Sequence, residues 1–337
     1  MKFKFLGDVA LMTPALRALR DAYPRAELHV LVAEESAPIL RHLPWIDRVW
    51  AMPRKRGTWQ VRALWPMVKQ LRAEKFDRSV DFAGNDRGAI MSLVIGAKLR
   101  LAYKGHAGFL GRARCYHKLV PRRQKLLYEP WYDLVVLREG WGVRLPKQIQ
   151  IEIAADSGLA GAAAELLPTD CMLCHISSTQ PKKQWPLARW REFAAAAHDA
   201  GLRAVFSAGV SQREQEELAE LRRLDADVEV LPPVRDLALF LAVVRRARVF
   251  VSVDTGPLHF AVGLGVPTVS LFGASGARSW APQGPRHRVL TGGKCRCPQA
   301  WKTCANHAAC MVNISSGRAL EAARQLWRVG NKDLTAS

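Results

Sequence analysis

The chain has 337 residues, of which 49% are hydrophobic, and it carries a formal net charge of +20. This length predicts two domains, and the hydrophobic fraction excludes a disordered chain. No uninterrupted apolar run of about 18 residues occurs, so we expect no transmembrane helix, and the first residues lack the apolar core of a signal peptide. Seven cysteines, an odd number without a secretion signal, favour reduced thiols in the cytoplasm.

Strands and helices alternate along the chain, which is the pattern of doubly wound α/β domains. The predicted helices are 9–23, 62–75, 187–200, 212–224, 237–246 and 317–327. The predicted strands are 28–32, 76–82, 171–176, 203–207, 228–231 and 249–253. We therefore expect an N-terminal domain at 1–150, a C-terminal domain at 151–330, and a ligand cleft between them.

The beginning of the chain offers only part of the buried first strand that such a domain needs. Residues 1–5 contain two lysines and lead directly into the turn at Gly7 and Asp8. We expect that this first strand is truncated and that the true start of the protein lies upstream.

Residues 249–273 predict an anion site. The run 249–253 has no polar alternation, which is typical of a central parallel strand covered on both faces. Asp254 and Thr255 follow the strand, and the Gly-Pro pair at 256–257 suits a first helical turn. Free N–H groups and the helix dipole favour an anion such as a diphosphate there, at the carboxyl end of a strand.

A strong excess of positive charge lies between Arg54 and Lys125. This segment has 18 Lys or Arg residues against four Asp or Glu residues. Such a field attracts nucleic acid, an anionic membrane or a phosphorylated substrate, and a solvated basic face is the alternative interpretation.

Three separated motifs resemble those of the bacterial lipopolysaccharide heptosyltransferases, glycosyltransferase family 9. The first is the loop and helix at 6–19, and the second is Lys183 with Trp185, Pro186 and Trp190. The third is the run 254–259, followed by Val-Pro-Thr at 266–268 and Leu-Phe-Gly at 271–273. Within the family, the lead-in to Asp8 and the segments 71–77 and 117–121 look most like the heptosyltransferase III type.

The resemblance implies the GT-B architecture, in which two Rossmann-like doubly wound domains face each other across a cleft. It implies an N-terminal acceptor-binding domain and a C-terminal nucleotide-sugar-binding domain. The implied reaction transfers L-glycero-D-manno-heptose from ADP-heptose to the lipopolysaccharide inner core, with inversion and without a catalytic metal or cofactor. The implied location is the cytoplasmic face of the inner membrane, where the protein would be peripheral.

Asp8 is the candidate general base. An inverting transfer needs a carboxylate that takes the proton of the acceptor hydroxyl as it attacks the anomeric carbon. The alternative is that Asp8 caps the helix at 9–23, a common role for Asp.

The candidate donor-binding residues follow two predicted strands. Lys183 would neutralise the departing ADP, and the alternatives are an ordinary loop lysine or the neighbouring Lys182. Ser178 and Thr179 are candidate hydroxyl donors to phosphate, with turn chemistry as the alternative. The remaining candidates are in the third motif: Thr255 and the N–H groups of Gly256 and Leu258 for the diphosphate, Asp254 for the donor, and His259 for phosphate or sugar, unless its role is structural.

The candidate acceptor-binding residues are basic, because inner-core phosphates and carboxylates suit bidentate arginine contacts. They are Arg54, Lys55, Arg56, Arg87, Lys104, Arg112 and Arg114. Some of them are alternatively expected to contact anionic lipid head groups.

Four thiols lie close together near the C-terminus, at Cys295, Cys297, Cys304 and Cys310. They form a candidate structural site for Zn or Fe, although their spacing is not a standard zinc pattern. Reduced thiols are the alternative.

Three other functions compete with this interpretation. The chain could use a different nucleotide sugar on the same fold, or be an inactive relative, given its short first strand. The positive charge also permits a non-enzymatic polyanion binder, but no nucleic-acid module is recognisable, so we expect no nucleic-acid partner.

Overall fold

The computed structural model describes residues 1–53, 61–104, 108–121, 128–273, 275–293 and 309–333. The chain divides into two compact units, Met1–Ile153 and Ala154–Ser337, which we call unit 1 and unit 2. Both are built from helices and parallel strands, as the alternation in the sequence predicts.

Unit 1 contains five strands and five α-helices within its described residues. In chain order these are α1 (Leu6–Ala10), α2 (Thr13–Ala22), β1 (His29–Ala33), β2 (Arg48–Met52), α3 (Val61–Ala73), β3 (Arg78–Asp81), α4 (Asp86–Ile95), β4 (Leu99–Lys104), β5 (Lys118–Pro121) and α5 (Pro130–Trp141). β1 pairs with β2, and β3, β4 and β5 form a second parallel sheet in that order.

The first residues of the chain lie between these two sheets. The Lys2 N–H donates to Leu31 of β1 at 3.2 Å, and Met1 accepts from the Phe82 N–H, which follows β3, at 2.9 Å. Residues 1–3 therefore hold the central position that a first strand takes in such a domain. A cavity of about 560 Å³ lies beside them, with β1 and β3 among the elements that line it. The expectation that the protein starts upstream stays a prediction.

The single helix predicted at 9–23 is wrong, because two helices are present there. α1 starts three residues earlier than predicted, and α2 begins at Thr13 with Pro14 in its first turn. Proline has no N–H and its ring blocks continuation from the preceding turn, so a straight helix through residue 14 is unfavourable.

Unit 2 holds one six-stranded parallel sheet flanked by helices. Its elements are α6 (Ala160–Leu166), β6 (Met172–His175), α7 (Leu187–Asp199), β7 (Ala204–Ser207), α8 (Gln212–Leu224), β8 (Glu229–Val230), α9 (Leu237–Arg246), β9 (Val249–Val253), α10 (Gly256–Gly263), β10 (Thr268–Phe272), α11 (Ala277–Trp280), β11 (His287–Thr291), α12 (Ala309–Val312) and α13 (Ser316–Asp333). The strand order is β11-β10-β9-β6-β7-β8.

The core of unit 2 lies on both faces of this sheet. All five residues of β9 are buried, and β9 pairs with β6 on one side and β10 on the other. This confirms the prediction of a central strand covered on both faces. Trp190 and Phe193 of α7 pack edge to face against each other and against Trp185. This aromatic packing fixes the loop that precedes α7, in which Trp185 lies.

Among the described residues, the helices are all too short or too polar to span a bilayer.

Candidate functional site

The strand order of the sheet in unit 2 reverses between β6 and β9. From β6 the chain builds outward through β7 and β8, and it then returns to β9 on the other side of β6. Open α/β sheets bind ligands at such a switch point, at the carboxyl ends of the strands. The loops that leave β6 and β9 at this edge carry the candidate donor residues.

Lys183 and Asp254 form an ion pair at this point. The Lys183 Nζ lies 2.7 Å from the Asp254 Oδ2, and the two side chains are 20% and 5% exposed. The carboxylate therefore lies inside the unit while the ammonium group still reaches solvent. Because the ammonium group has three N–H donors, it can keep Asp254 and still bind an incoming anion.

Ser178 is buried between the same two loops. Its hydroxyl donates to the Asp254 carbonyl at 3.4 Å and accepts from the Gln180 N–H at 3.3 Å. The second bond is the turn chemistry given above as the alternative for Ser178. Thr179, next in the chain, is exposed.

The first turn of α10 presents backbone N–H groups at the same edge. Thr255 is the N-cap in an extended conformation, and in the described part of the chain its side chain makes no capping bond. Pro257 has no N–H, so the N–H groups of Gly256, Leu258 and His259 are the donors of this turn. His259 is 3% exposed, which places its ring inside the unit.

The first two turns of α8 hold the loop after β6 in place. Arg213 donates to the Ser178 carbonyl at 2.5 Å and to Glu217 at 2.6 Å, and Glu217 also accepts from the Gln184 amide. These bonds therefore hold the loop at Ser178 and at Gln184, on either side of Lys183. Sequence reasoning missed these residues, because charges on a helix surface give no signal of this role.

Glu214 is a second missed residue of α8. Its buried carboxylate accepts from the Ser177 hydroxyl at 2.9 Å and from the Ser211 hydroxyl at 2.5 Å. The Ser211-x-x-Glu214 spacing is a capping-box pattern and was the available signal. The pattern does not reveal that the carboxylate also binds the loop after β6.

The far end of that loop is anchored by Trp185. Its indole is 2% exposed, and its Nε1 donates to the Ile314 carbonyl at 3.0 Å. Trp185 is thus a structural residue that sets the position of Lys183.

His175 ends β6 directly beneath this loop. Burial lowers the pKa of its imidazole from 6.5 to about 4, although Glu214 partly opposes this effect. Its Nδ1 lies 3.1 Å from the Ser207 hydroxyl, and Phe240 and Phe250 pack against its ring. The ring is therefore neutral at pH 7.

In unit 1, Asp8 is the third residue of α1 and is 9% exposed. The N-cap of α1 is Phe5, so the alternative interpretation of Asp8 as an N-cap is wrong. An ion pair lies close by, in which the Lys2 Nζ is 2.5 Å from the Asp133 Oδ2 and both side chains are 3% exposed. Burial raises the pKa of Asp133, Lys2 lowers it, and the charge of Asp8 adds to the rise.

The structure describes four of the seven candidate acceptor residues. Arg87 in α4, Lys104 at the end of β4, and Arg112 lie at the carboxyl edge of the sheet in unit 1, and Arg114 is exposed two residues further on. Arg112 donates to Asp86 at 3.3 Å. Arg54, Lys55 and Arg56 lie outside the described residues.

Of the four clustered thiols, three lie outside the described residues, namely Cys295, Cys297 and Cys304. Cys310 is buried. A Cβ added to Gly273 would lie 2.8 Å from its Sγ and 2.5 Å from the Met311 Sδ. Cys310 therefore packs closely against the chain that leaves β10, and the metal site stays a prediction.

The sequence matches the family model described as glycosyltransferase family 9 (heptosyltransferase) over residues 64–309. One curated relative is lipopolysaccharide heptosyltransferase 3 of Escherichia coli. It is 23% identical over 303 residues, which cover 83% of this chain and 84% of that protein.

Solved structures share the fold. A family 9 glycosyltransferase of Veillonella parvula has a TM-score of 0.80 at 22% identity, covering 96% of this chain and 95% of that one. The E. coli heptosyltransferase WaaC, solved with ADP-2-deoxy-2-fluoro heptose, has a TM-score of 0.71 at 21% identity, covering 96% and 99%. The predicted α/β fold of the GT-B class is thereby confirmed.

Proposed function

Because the chain belongs to glycosyltransferase family 9, the heptosyltransferase family, we propose that it transfers a heptose from ADP-heptose to the inner core of lipopolysaccharide. The donor proposal is supported by the ADP-heptose analogue bound to WaaC, and the acceptor proposal by the lipopolysaccharide heptosyltransferase of E. coli. The sugar proposed is L-glycero-D-manno-heptose. The heptosyltransferase III type is the narrower proposal, and the lead-in to Asp8 supports it.

The observation that carries this proposal is the Lys183–Asp254 pair beside the first turn of α10. When the bond from the anomeric carbon to the diphosphate breaks, the leaving ADP gains negative charge. A fixed ammonium group and the N–H groups of a helix N-terminus stabilise that charge without needing to reorganise. This donor set is the chemical basis for proposing that the protein's own groups, rather than a metal ion, stabilise the leaving group.

Asp254 keeps Lys183 in place for this role. Its carboxylate is nearly buried, so it holds the ammonium group in one position before the donor arrives. The hydroxyl of Thr255 and the N–H groups of Gly256 and Leu258 would then bind the phosphate oxygens. Ser178, Thr179 and His259 complete the proposed donor set.

Asp8 is proposed as the base of an inverting, single-displacement reaction. The acceptor oxygen forms a bond to the anomeric carbon as the bond to the diphosphate breaks, and the acceptor proton passes to the Asp8 carboxylate. Attack from the side opposite the leaving group inverts the anomeric configuration. Asp8 lies in the first turn of α1, after the first strand-like segment of unit 1, and is 9% exposed.

The basic residues of unit 1 are proposed to bind the acceptor. Arg87, Lys104, Arg112 and Arg114 offer cations for core phosphates and carboxylates, and we extend the proposal to the residues at 54–56. The same charge supports a peripheral location at the cytoplasmic face of the inner membrane.

The test is turnover with a panel of nucleotide sugars and a truncated lipopolysaccharide acceptor. Among the nucleotide sugars of the panel, we expect only ADP-heptose to act as donor. The Asp8→Ala variant should lose this transfer and keep its ADP binding. Turnover of a different nucleotide sugar instead would overturn the donor proposal. Salt-sensitive DNA binding in a protein without any transferase activity would favour the polyanion binder.

A further inference from the structure

Two apolar side chains protrude from the loop that follows β4. Leu110 is 103% exposed and Phe109 is 41% exposed. Burying large apolar side chains is favourable. A fully exposed leucine beside an exposed phenylalanine therefore indicates a contact surface when the surrounding loop holds the pair in place. We call residues 109 and 110 the apolar tip.

The surrounding loop holds the apolar tip through Asp86, in the first turn of α4. One Asp86 carboxylate oxygen, Oδ1, accepts from the Phe109 N–H at 3.4 Å and from Arg112 at 3.3 Å. A Cβ at Gly108 would lie 2.1 Å from this oxygen, so the backbone approaches the carboxylate more closely than a side chain would allow. Gly111 has a φ of +87°, a conformation that favours glycine.

The segment beyond the tip is anchored in the core. A 3-10 turn at Arg112–Cys115 leads to Tyr116, which is buried and donates to the Asp81 carboxylate at 2.7 Å. Within the described segment 108–121, the apolar tip is therefore held at Gly108 and Phe109 by Asp86 and, beyond it, by the buried Tyr116.

The sequence around the apolar tip is strongly basic, and the Asp86 carboxylate that holds the tip is itself paired with Arg112. The sequence contains no acidic residue between Asp86 and Glu129. Ten basic residues lie in that interval: Arg87, Lys98, Arg100, Lys104, Arg112, Arg114, Lys118, Arg122, Arg123 and Lys125. An exposed apolar tip within such a segment complements an anionic bilayer, whose surface potential attracts Lys and Arg while apolar side chains enter the interface.

We propose that the apolar tip inserts into the interface of an anionic phospholipid bilayer and docks unit 1 on the membrane. The inference rests on the proposed function, whose acceptor is a membrane-embedded glycolipid. The tip follows the carboxyl end of β4, the edge at which Asp8 also lies. Asn85, just before α4, donates to the Phe3 carbonyl at 2.9 Å and so ties this edge to the segment leading to Asp8. Phe5 in that segment is 77% exposed.

The test is sedimentation of the whole protein with vesicles that contain no glycolipid. The vesicles are phosphatidylethanolamine with phosphatidylglycerol, or phosphatidylcholine alone. The tip variant is Phe109→Ser/Leu110→Ser. The control is Leu93→Ser/Leu99→Ser, which changes two residues of unit 1 that are 50% and 46% exposed, with Leu99 at the opposite edge of the sheet.

We expect binding to the anionic vesicles that weakens as salt rises from about 0.05 to about 0.5 M. The tip variant should partition about tenfold more weakly, and the control should stay within about twofold of the wild type. Equal binding of the tip variant and the wild type, or equal binding to both vesicle types, would overturn the proposal. Circular dichroism of each variant confirms that the fold is kept.

A second measurement separates this proposal from the proposed function. On a water-soluble core oligosaccharide the tip variant should keep the wild-type turnover, whereas on an acceptor in anionic vesicles it should lose about tenfold in kcat/KM. Equal losses on both acceptors would mean that the tip acts in the reaction rather than in docking. Wild-type protein that transfers no heptose to either acceptor, yet binds vesicles through the tip, would refute the proposed function and leave docking intact.

Discussion

Replacing Lys183 with methionine tests the ion pair at the switch point of unit 2. The substitution keeps the length of the side chain and removes its charge, which leaves the 5%-exposed Asp254 carboxylate without its cation. Breaking a fully buried pair costs about 3–5 kcal/mol, and because Lys183 is 20% exposed we expect a smaller loss, about 2 kcal/mol of unfolding free energy. Denaturant unfolding measures it.

The same variant should bind ADP more weakly. A hydrogen bond to a charged group contributes about 1.5–3 kcal/mol, so its loss corresponds to roughly 10- to 150-fold in the dissociation constant of ADP. Titration calorimetry measures this constant. ADP lacks the sugar, so the measurement isolates the contribution of the diphosphate.

Combining Lys183→Met with Asp254→Asn separates stability from binding. Removing both charges eliminates the unpaired carboxylate, so the double variant should be more stable than Lys183→Met alone while ADP stays weakly bound. Normal ADP affinity in Lys183→Met would refute the diphosphate role. Strictly additive stability losses in the double variant would show that the ion pair contributes nothing to unit 2.

Three further variants test the remaining parts of the site. Asp8→Asn should lower kcat by about 10²–10⁴ with ADP affinity within about twofold of the wild type, and a smaller loss of turnover would contradict its role as base. Glu214→Gln removes the charged partner of Ser177 and should therefore weaken the support of the loop after β6. We expect KM for the donor to rise several-fold with a smaller change in kcat. A loss confined to kcat would contradict this role. The pKa of His175 is about 6.5 in the unfolded chain and about 4 in the folded protein. Its contribution to the free energy of unfolding should therefore be fully present above pH 6.5 and decrease by up to about 3 kcal/mol as the pH falls toward 4. Denaturant unfolding across this range should show a flatter profile in His175→Asn, and an unchanged profile would assign the acid sensitivity elsewhere.

The bounds of several elements could be predicted because their signals are local. The predicted helices 212–224 and 237–246 have the observed bounds, and each starts after a capping side chain, Ser211 or Asp236. Strand 249–253 also has the predicted bounds, since a run of β-branched and aromatic residues ends at Asp254. The break before α2 was missed because a helical pattern of apolar residues continues across it.

The arrangement of the candidate site could be predicted only in part. The third motif identified the first turn of α10, because strand, turn and helix are adjacent in sequence. The pairing of Lys183 with Asp254 depends on β6 and β9 lying side by side, a property of sheet topology that residues 71 positions apart do not reveal. The roles assigned to the individual site residues stay predictions.

The most direct test of the central claim is the structure of the product made from ADP-heptose and a truncated lipopolysaccharide acceptor. Mass spectrometry and NMR of the purified product give the sugar added, its linkage and its anomeric configuration. We expect one added heptose whose configuration is inverted relative to the donor. A product with retained configuration, or an acceptor left unmodified while a different nucleotide sugar is consumed, would contradict the account.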